Sequence, residues 1–299
     1  MVSPFLADLF ESHRTHLLSV AYRLTGSVGD AEDAVQESWL RMAGVHQSEI
    51  DDLRAWLTTV VSRICLDHLR SAAVRRETYV GQWLPEPIVS AAMSSRTSDP
   101  LDVVVRDQDS RMAAMVVLDA LTPQQRVALV LHEGLGVPFD EIAETLGVSA
   151  DAARQLAVRA RGAVARAPEP VTDEVHDQAV QRFLAALATG DVAAVAATLH
   201  PDTTFTADAG GTTETALNIV AGQDKVARLA LGLWRKHQEE SDLDMTAAAV
   251  NGQSGLVFTD PNSPFGRPVR VLGFSVRDGK IWATYDFANV VKLSGARPR

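Results

Sequence analysis

Arg154, Gln155 and Arg159 lie close together in the stretch VPFDEIAETLGVSADAARQLAVRARGAVA, residues 137–165. Arg and Gln are the side chains that pair bidentately with guanine and adenine edges in the major groove. A second polar set, Thr59, Arg63, Asp67 and Arg70, shares a face within LRAWLTTVVSRICLDHLRSAAVRR, residues 53–76. In DAEDAVQESWLRM, residues 30–42, Glu32, Asp33, Gln36 and Glu37 surround Leu40. An apolar side chain in an acidic field suits docking of a basic helix from another protein. Further along, His200-Pro201-Asp202, Asp208, Asp244, Tyr285 and Asp286 offer groups for acid–base chemistry, if a dry pocket gathers them.

Each set needs an element to present it. Pro138 suits a first helical turn, and Phe139, Ile142, Ala143 and Leu146 place apolar groups on one face. Gly147 permits the left-handed residue that closes that helix, and Ser149 caps the next one. Ala153, Ala157 and Ala160 then form a small-residue inner face, leaving Arg154, Gln155, Val158, Arg159 and Arg161 outward. This is the helix-turn-helix shape. The bland alternative is a helical hairpin with a solvated Arg face. In residues 30–42, Ala31, Ala34, Val35, Ser38, Trp39 and Met42 form the buried stripe, with Asp30 as the expected N-cap and Glu32 and Asp33 in the first turn. Leu57, Val60, Val61, Ile64 and Cys65 face inward in a helix expected from about Leu53 to Ser71. For both helices the alternative is a solvated amphipathic surface.

Between these helical parts, residues 77–109 contain WLPEP (83–87) and SSRTSDP (94–100), which cannot form long helix and read as an extended linker. Residues 110–167 return to helical periodicity, and Pro168-Glu169-Pro170 marks the next boundary. After it, a helix over 173–189 leads into strands at 203–207, 256–259, 269–277 and 280–287, the last two joined by a hairpin turn at Asp278-Gly279. The order is helical, linker, helical, then α+β.

The chain has 299 residues and a formal net charge of −10, which taken alone argues against a nucleic-acid binder. The charge is patterned, however. Residues 1–168 carry 16 Arg, no Lys and 22 acids, yet residues 54–76 hold five Arg and one Asp, and residues 151–166 four Arg and one Asp. Two basic islands on an acidic background bind DNA weakly alone, and well only if a larger cationic partner supplies the other phosphate contacts. The lone Cys65 excludes an internal disulfide and a thiol–metal cluster, and no cofactor or metal is expected. No apolar run approaches the roughly 20 residues of a membrane span, and MVSPFLADLFESHR has acids where a signal peptide is basic. A cytoplasmic protein is expected.

Three strings together resemble the bacterial extracytoplasmic-function RNA polymerase sigma factors. LLSVAYRLTGSVGDAEDAVQESWLR resembles their region 2.1–2.2, RAWLTTVVSRICLDHLRS their region 2.4, and LTPQQRVALVLHEGLGVPFDEIAETLGVSADAARQLAVRARGAV their region 4. The resemblance covers about residues 10–167. It implies a helical region 2 (1–76), a linker (77–109) threading along the polymerase towards its active cleft, and a helix-turn-helix region 4 (110–167). It also implies roles. Glu32, Asp33, Gln36, Glu37 and Leu40 would face the clamp of the largest polymerase subunit. The loop 43–52 with Arg54, Arg63, Asp67 and Arg70 would hold the −10 promoter element and capture a base extruded on strand opening. Arg154, Gln155 and Arg159 would read the −35 element.

The final 130 or so residues resemble a SnoaL-like cone-shaped α+β domain, with a pocket under a helical lid, as in sigma factors of the SigJ type (domain expected at 172–295). That type has a D-G-G-G-Lys/Arg loop, read here as Asp208-Ala209-Gly210-Gly211-Thr212, and an N-P-D-K-L motif, read as Asn289-Val290-Val291-Lys292-Leu293. His200, Asp202, Asp208, Asp286 and Lys292 are its pocket or regulatory candidates. The bland reading has His200 capping a helix end and Asp202 setting a turn, and Trp234, Trp282 and Phe205 serving as core. The family implies that the domain modulates sigma activity through intramolecular contacts with the sigma regions. The alternatives are a bifunctional protein with an isomerase, cyclase or hydrolase domain, a small-ligand sensor, or a free-standing repressor, against which the 30–42 helix argues.

Overall fold

The computed structural model describes residues 4–45, 50–76, 79–91, 100–105, 110–165, 169–211, 213, 215–240, 242–262 and 268–293. The chain divides into two compact units. One comprises Met1–Glu77, Ser98–Ser110 and Ala114–Ala167, the other Thr78–Thr97, Arg111–Ala113 and Pro168–Arg299.

The first unit is helical. In α1 (Pro4–Thr25) the spacing of Leu17, Leu18, Val20, Ala21 and Leu24 puts all five in the core. Gly26 takes φ +67 and ends the helix. Ser27 then caps α2 (Val28–Ala43), its hydroxyl accepting from Asp30 N at 3.2 Å. Asp30 is therefore the third helical residue and not the N-cap. The left-handed Gly26 lets the chain re-enter helix earlier, and Glu32 and Asp33 lie past the first turn. Next, α3 (Leu53–Arg76) runs beyond the expected end near Ser71, since residues 72–76 hold no Gly or Pro. Leu57, Val61, Ile64 and Cys65 are buried, and Val60 half-buried.

Two helices follow, α4 (Pro100–Val104), inside the expected linker, and α5 (Met112–Asp119). A Thr122–Gln125 capping box then opens α6 (Pro123–Leu135). α7 (Phe139–Leu146) starts after Pro138, which is its N-cap and not part of its first turn. Gly147 at φ +67 closes α7, and Ser149 caps α8 (Ala150–Val164). Ala153, Ala157 and Ala160 are fully buried and let α8 approach its neighbours closely. Arg126 of α6 is buried, and both its terminal nitrogens are hydrogen-bonded. It donates to Leu24 O and to Asp119 Oδ1, both at 2.9 Å, and so ties α6 to the end of α1.

The second unit packs three helices on a curved sheet. α9 (Asp173–Thr189) and α10 (Val192–Thr198) precede β2 (Leu199–Asp208) and β3 (Val220–Ala221). α11 (Gln223–Glu240) is followed by β4 (Asp244–Val250), β5 (Gln253–Thr259), β6 (Pro268–Arg277) and β7 (Lys280–Phe287). The sheet order is β1-β4-β5-β6-β7-β2-β3, where β1 (Val89–Ala91) comes from the segment read as linker. All pairs are antiparallel except β2 with β7. Register shifts in β2/β7, β5/β6 and β6/β7 bend the sheet. Phe183, Leu187, Leu199, Val226, Leu231, Phe274 and Ile281 form part of the core between helices and sheet.

Candidate functional site

In the first unit, α2 presents Glu32, Asp33, Gln36 and Leu40 to solvent, with Leu40 63% exposed. Glu37 is half-buried and pairs with Arg41 at 2.5 Å. Glu32, Asp33 and Gln36 line a groove of about 500 Å³ with Phe10, Arg14 and Trp39. Trp39 is half-buried against Phe10, their rings 5.2 Å apart. The groove thus has acidic lips and an aromatic floor.

On α3, Arg54, Arg63, Asp67 and Arg70 are all exposed. Arg70 lies 3.4 Å from Asp67, and Arg54 Nη2 lies 3.3 Å from His16 Nδ1. Burial, aided by Arg54, pushes His16 down to about 4, so it is neutral at pH 7. Arg63 reaches across to α7 and donates to Glu144 O at 3.2 Å. Part of the loop 43–52 lies outside the described residues. On α8, Arg154, Gln155, Val158, Arg159 and Arg161 are exposed, as the small-residue inner face demands. Arg154 pairs with Asp151 at 2.7 Å and lies 5.3 Å over the Phe139 ring. Arg159 Nε donates to Gln155 O at 3.3 Å.

The second unit contains a clamp on the segment 79–91. Asp208 and Lys292 are both buried and form an ion pair at 2.5 Å. Asp208 Oδ2 also accepts from Leu84 N at 2.8 Å, and Oδ1 accepts from the Tyr79 hydroxyl. Lys292 Nζ donates to Leu84 O at 2.5 Å and sits 3.2 Å over the Trp83 ring centroid. Asn289 Nδ2 donates to Tyr79 Oη at 2.8 Å. Burial, reinforced by the Asp208 carboxylate, pushes the Tyr79 phenol up, so it stays protonated and donates. Asn251 completes the hold, exchanging hydrogen bonds with Ile88 through Oδ1 (3.0 Å) and N (2.8 Å). Gly210, at φ +57, is required here: a Cβ would lie 2.5 Å from Asn289 Nδ2. The segment read as an extended linker is therefore anchored on the C-terminal sheet over the described residues 79–91. Residues 92–99 and 106–109 lie outside the described set. Asp208 and Lys292, the retained charged members of the two partly kept motifs, bond to each other.

A cavity of about 500 Å³ opens in the same unit between helices and sheet. Of the acid–base candidates, Asp286 alone lines it; His200, Asp202, Asp208, Asp244, Tyr285 and Lys292 do not. His200 is on β2, not at a helix cap, because Leu199 caps α10. Its Nδ1 accepts from Asp202 N at 3.1 Å, and Nε2 faces Asp278 at 3.5 Å. Asp286 is fully buried. Arg270 Nε lies 3.0 Å from its Oδ1, and the Thr215 hydroxyl donates to Oδ2 at 2.9 Å. Burial raises its carboxyl above the usual range, with Arg270 and Thr215 pulling the other way. Phe205 and Trp234, read as core, also line the cavity. Sequence reading missed Tyr79, Asn251, Arg270, Thr215 and Thr284. Only Asn251 carried a signal, as the Asn-Gly of a turn with φ +49 and +77. Among the described residues, no group of three or more His, Cys, Asp or Glu could hold a metal ion. No described helix is long and apolar enough to cross a membrane.

Family models match the chain as sigma-70 region 2 (residues 9–75), sigma-70 region 4 (residues 111–164) and a SnoaL-like domain (residues 180–284). The chain is 50% identical over 293 residues to the ECF RNA polymerase sigma factor SigJ of Mycobacterium tuberculosis, covering 96% of this chain and 93% of the relative. It is 34% identical over 279 residues to the probable ECF RNA polymerase sigma factor SigI of that organism, covering 91% and 89%. The crystal structure of M. tuberculosis SigJ matches with TM-score 0.80 and 47% identity, covering 98% of this chain and 100% of that one.

Proposed function

The chain belongs to the extracytoplasmic-function RNA polymerase sigma factors, and from that premise we propose that it directs core polymerase to promoters while its SnoaL-like domain restrains the interdomain linker. Leu40, Glu32, Asp33, Gln36 and Glu37 dock on the polymerase clamp. Arg54, Arg63, Asp67 and Arg70 engage the −10 element, and Arg154, Gln155 and Arg159 read the −35 element. The arrangement of charge supports this division of labour. A chain of net charge −10 repels phosphates overall, so its Arg faces act only once polymerase supplies the remaining contacts.

One observation carries the regulatory half: the Asp208–Lys292 pair grips Leu84 at both its N–H and its C=O. A segment tied down in this way is not available to run along polymerase. The domain therefore favours a restrained state, and its effect equals its differential affinity for the held and released linker.

Run-off transcription with core polymerase tests the reading. Promoter-specific transcripts are expected only when chain and core are combined, with no sequence-specific gel shift by the chain alone. A strong, specific shift by the free protein points instead to a repressor. The enzyme alternative has one observation in its favour, Asp286 in the cavity. However, its carboxylate is engaged by Arg270 and Thr215.

A further inference from the structure

Two buried side-chain oxygens on the wall of the C-terminal cavity make no hydrogen bond, Thr284 Oγ1 and Asp286 Oδ1, the latter ion-paired with Arg270 Nε at 3.0 Å. They stand two residues apart on β7 and so share a face. Much of the remaining wall is apolar, with Leu187, Phe205, Leu233, Trp234, Phe258 and Phe274, while Arg270 stands beside Asp286. Two buried oxygens with acceptor capacity left, in a mostly apolar chamber, make a seat for a hydrogen-bonding group on an apolar body. The volume, about 500 Å³, falls in the range of small-molecule sites, about 300–1,000 Å³.

The same wall is wired to the linker clamp by one loop. Thr215 donates to Asp286 Oδ2 at 2.9 Å, and Thr213, also a wall residue, donates to Ala288 O at 2.9 Å. That loop begins at Asp208, which holds Leu84 and Lys292. In the β2/β7 register, Ala207 pairs with Asp286 and Asp208 with Phe287, so clamp and cavity acids occupy successive rungs of adjacent strands.

We propose that the cavity is a receptor site for a neutral, largely apolar small molecule bearing a hydroxyl or N–H donor, and that its occupation tightens the hold on residues 79–91. The donor hydrogen-bonds Asp286 Oδ1, and the Thr284 hydroxyl donates back to the same ligand group. The sign follows from the geometry. These walls exist with the linker docked, so a molecule that fits them favours the docked state. By reciprocity, linker docking strengthens its binding by the same factor. The coupling rests on the linker restraint proposed above.

The test uses the full chain with two probes, β-naphthol and naphthalene, which lacks the donor. Calorimetric titration is expected to give saturable binding of both, with β-naphthol about tenfold tighter, as for a hydrogen bond to a charged group. Asp286→Asn should abolish that preference while retaining naphthalene, and Leu233→Trp, which fills the cavity, should remove both. Amide exchange at residues 84–91 should slow when β-naphthol binds. Absence of saturable binding, or an unchanged preference in Asp286→Asn, overturns the site. Binding with unaltered exchange at residues 84–91 overturns the coupling. Failure of the underlying restraint shows separately, as unaltered exchange there in unliganded Lys292→Met.

Discussion

Lys292 Nζ lies 2.5 Å from Asp208 Oδ2, and between them they bind the N–H and the C=O of a single linker residue, Leu84. Neither side chain is more than 6% exposed. Two opposite charges out of water are tolerable because each is hydrogen-bonded as well as paired. The hydrogen bonds they spend on the linker backbone make the linker part of the domain.

Removing one partner leaves a buried uncompensated charge, which costs about 3–5 kcal/mol. Lys292→Met should therefore lower the melting temperature of the C-terminal domain and speed amide exchange over residues 79–91. Replacing both partners, as Asp208→Asn with Lys292→Met, should restore part of the melting temperature and still free the linker. Mass-resolved exchange of the two variants checks this.

In the −35 role proposed for it, Arg154 trades Asp151 for a base edge. An exposed pair of this kind is worth about 0–1 kcal/mol, while a bidentate base contact discriminates by about 1–3 kcal/mol. Arg154→Ala should thus weaken holoenzyme binding at the preferred promoter and relax specificity at a single −35 position. Binding to a panel of single-base promoter variants reads it out. A uniform loss across the panel would make Arg154 a phosphate contact.

Leu40 projects into solvent with 63% of its surface exposed. Leu40→Asp should leave folding within about 0.5 kcal/mol, yet weaken assembly with core polymerase. Paired measurements of thermal unfolding and polymerase affinity separate the two effects.

His176 donates from Nε2 to Phe274 O at 3.1 Å in the core of the C-terminal domain, and burial lowers its pKa. A folded-state pKa below the unfolded one gives stability that is present above about pH 6.5, the unfolded value, and is lost as pH falls towards the folded value. The melting temperature of this domain should fall between pH 7 and pH 5. His176→Gln, which keeps a donor but does not titrate, should flatten that slope.

The sigma helices were legible because local rules govern them. Gly147 and Ser149 set a turn that needs no distant partner, and Ala153, Ala157 and Ala160 declare their face by spacing alone. Exceptions were terminal, such as Asp30, displaced from its capping role once Gly26 turned left-handed. The C-terminal unit was less readable where long-range pairing decides. In β4, Thr246-Ala247-Ala248-Ala249 has little strand propensity, and it becomes a strand because β5 and β1 flank it. Residues 89–91 sit in a Pro-containing stretch, yet Asn251, far along the chain, converts them to an edge strand. Asp286 was readable as an acid on a strand but not as a cavity residue. Its neighbours are apolar on both faces, and only the sheet's curvature decides which side encloses space.

The most direct test of the restraint is run-off transcription by core polymerase loaded with either the intact full-length chain or full-length Lys292→Met. Both should initiate at the same start site, and the variant, with its linker released, should give more transcript at equal polymerase occupancy. Equal output from the two, with exchange data showing the linker free in the variant, would contradict the account.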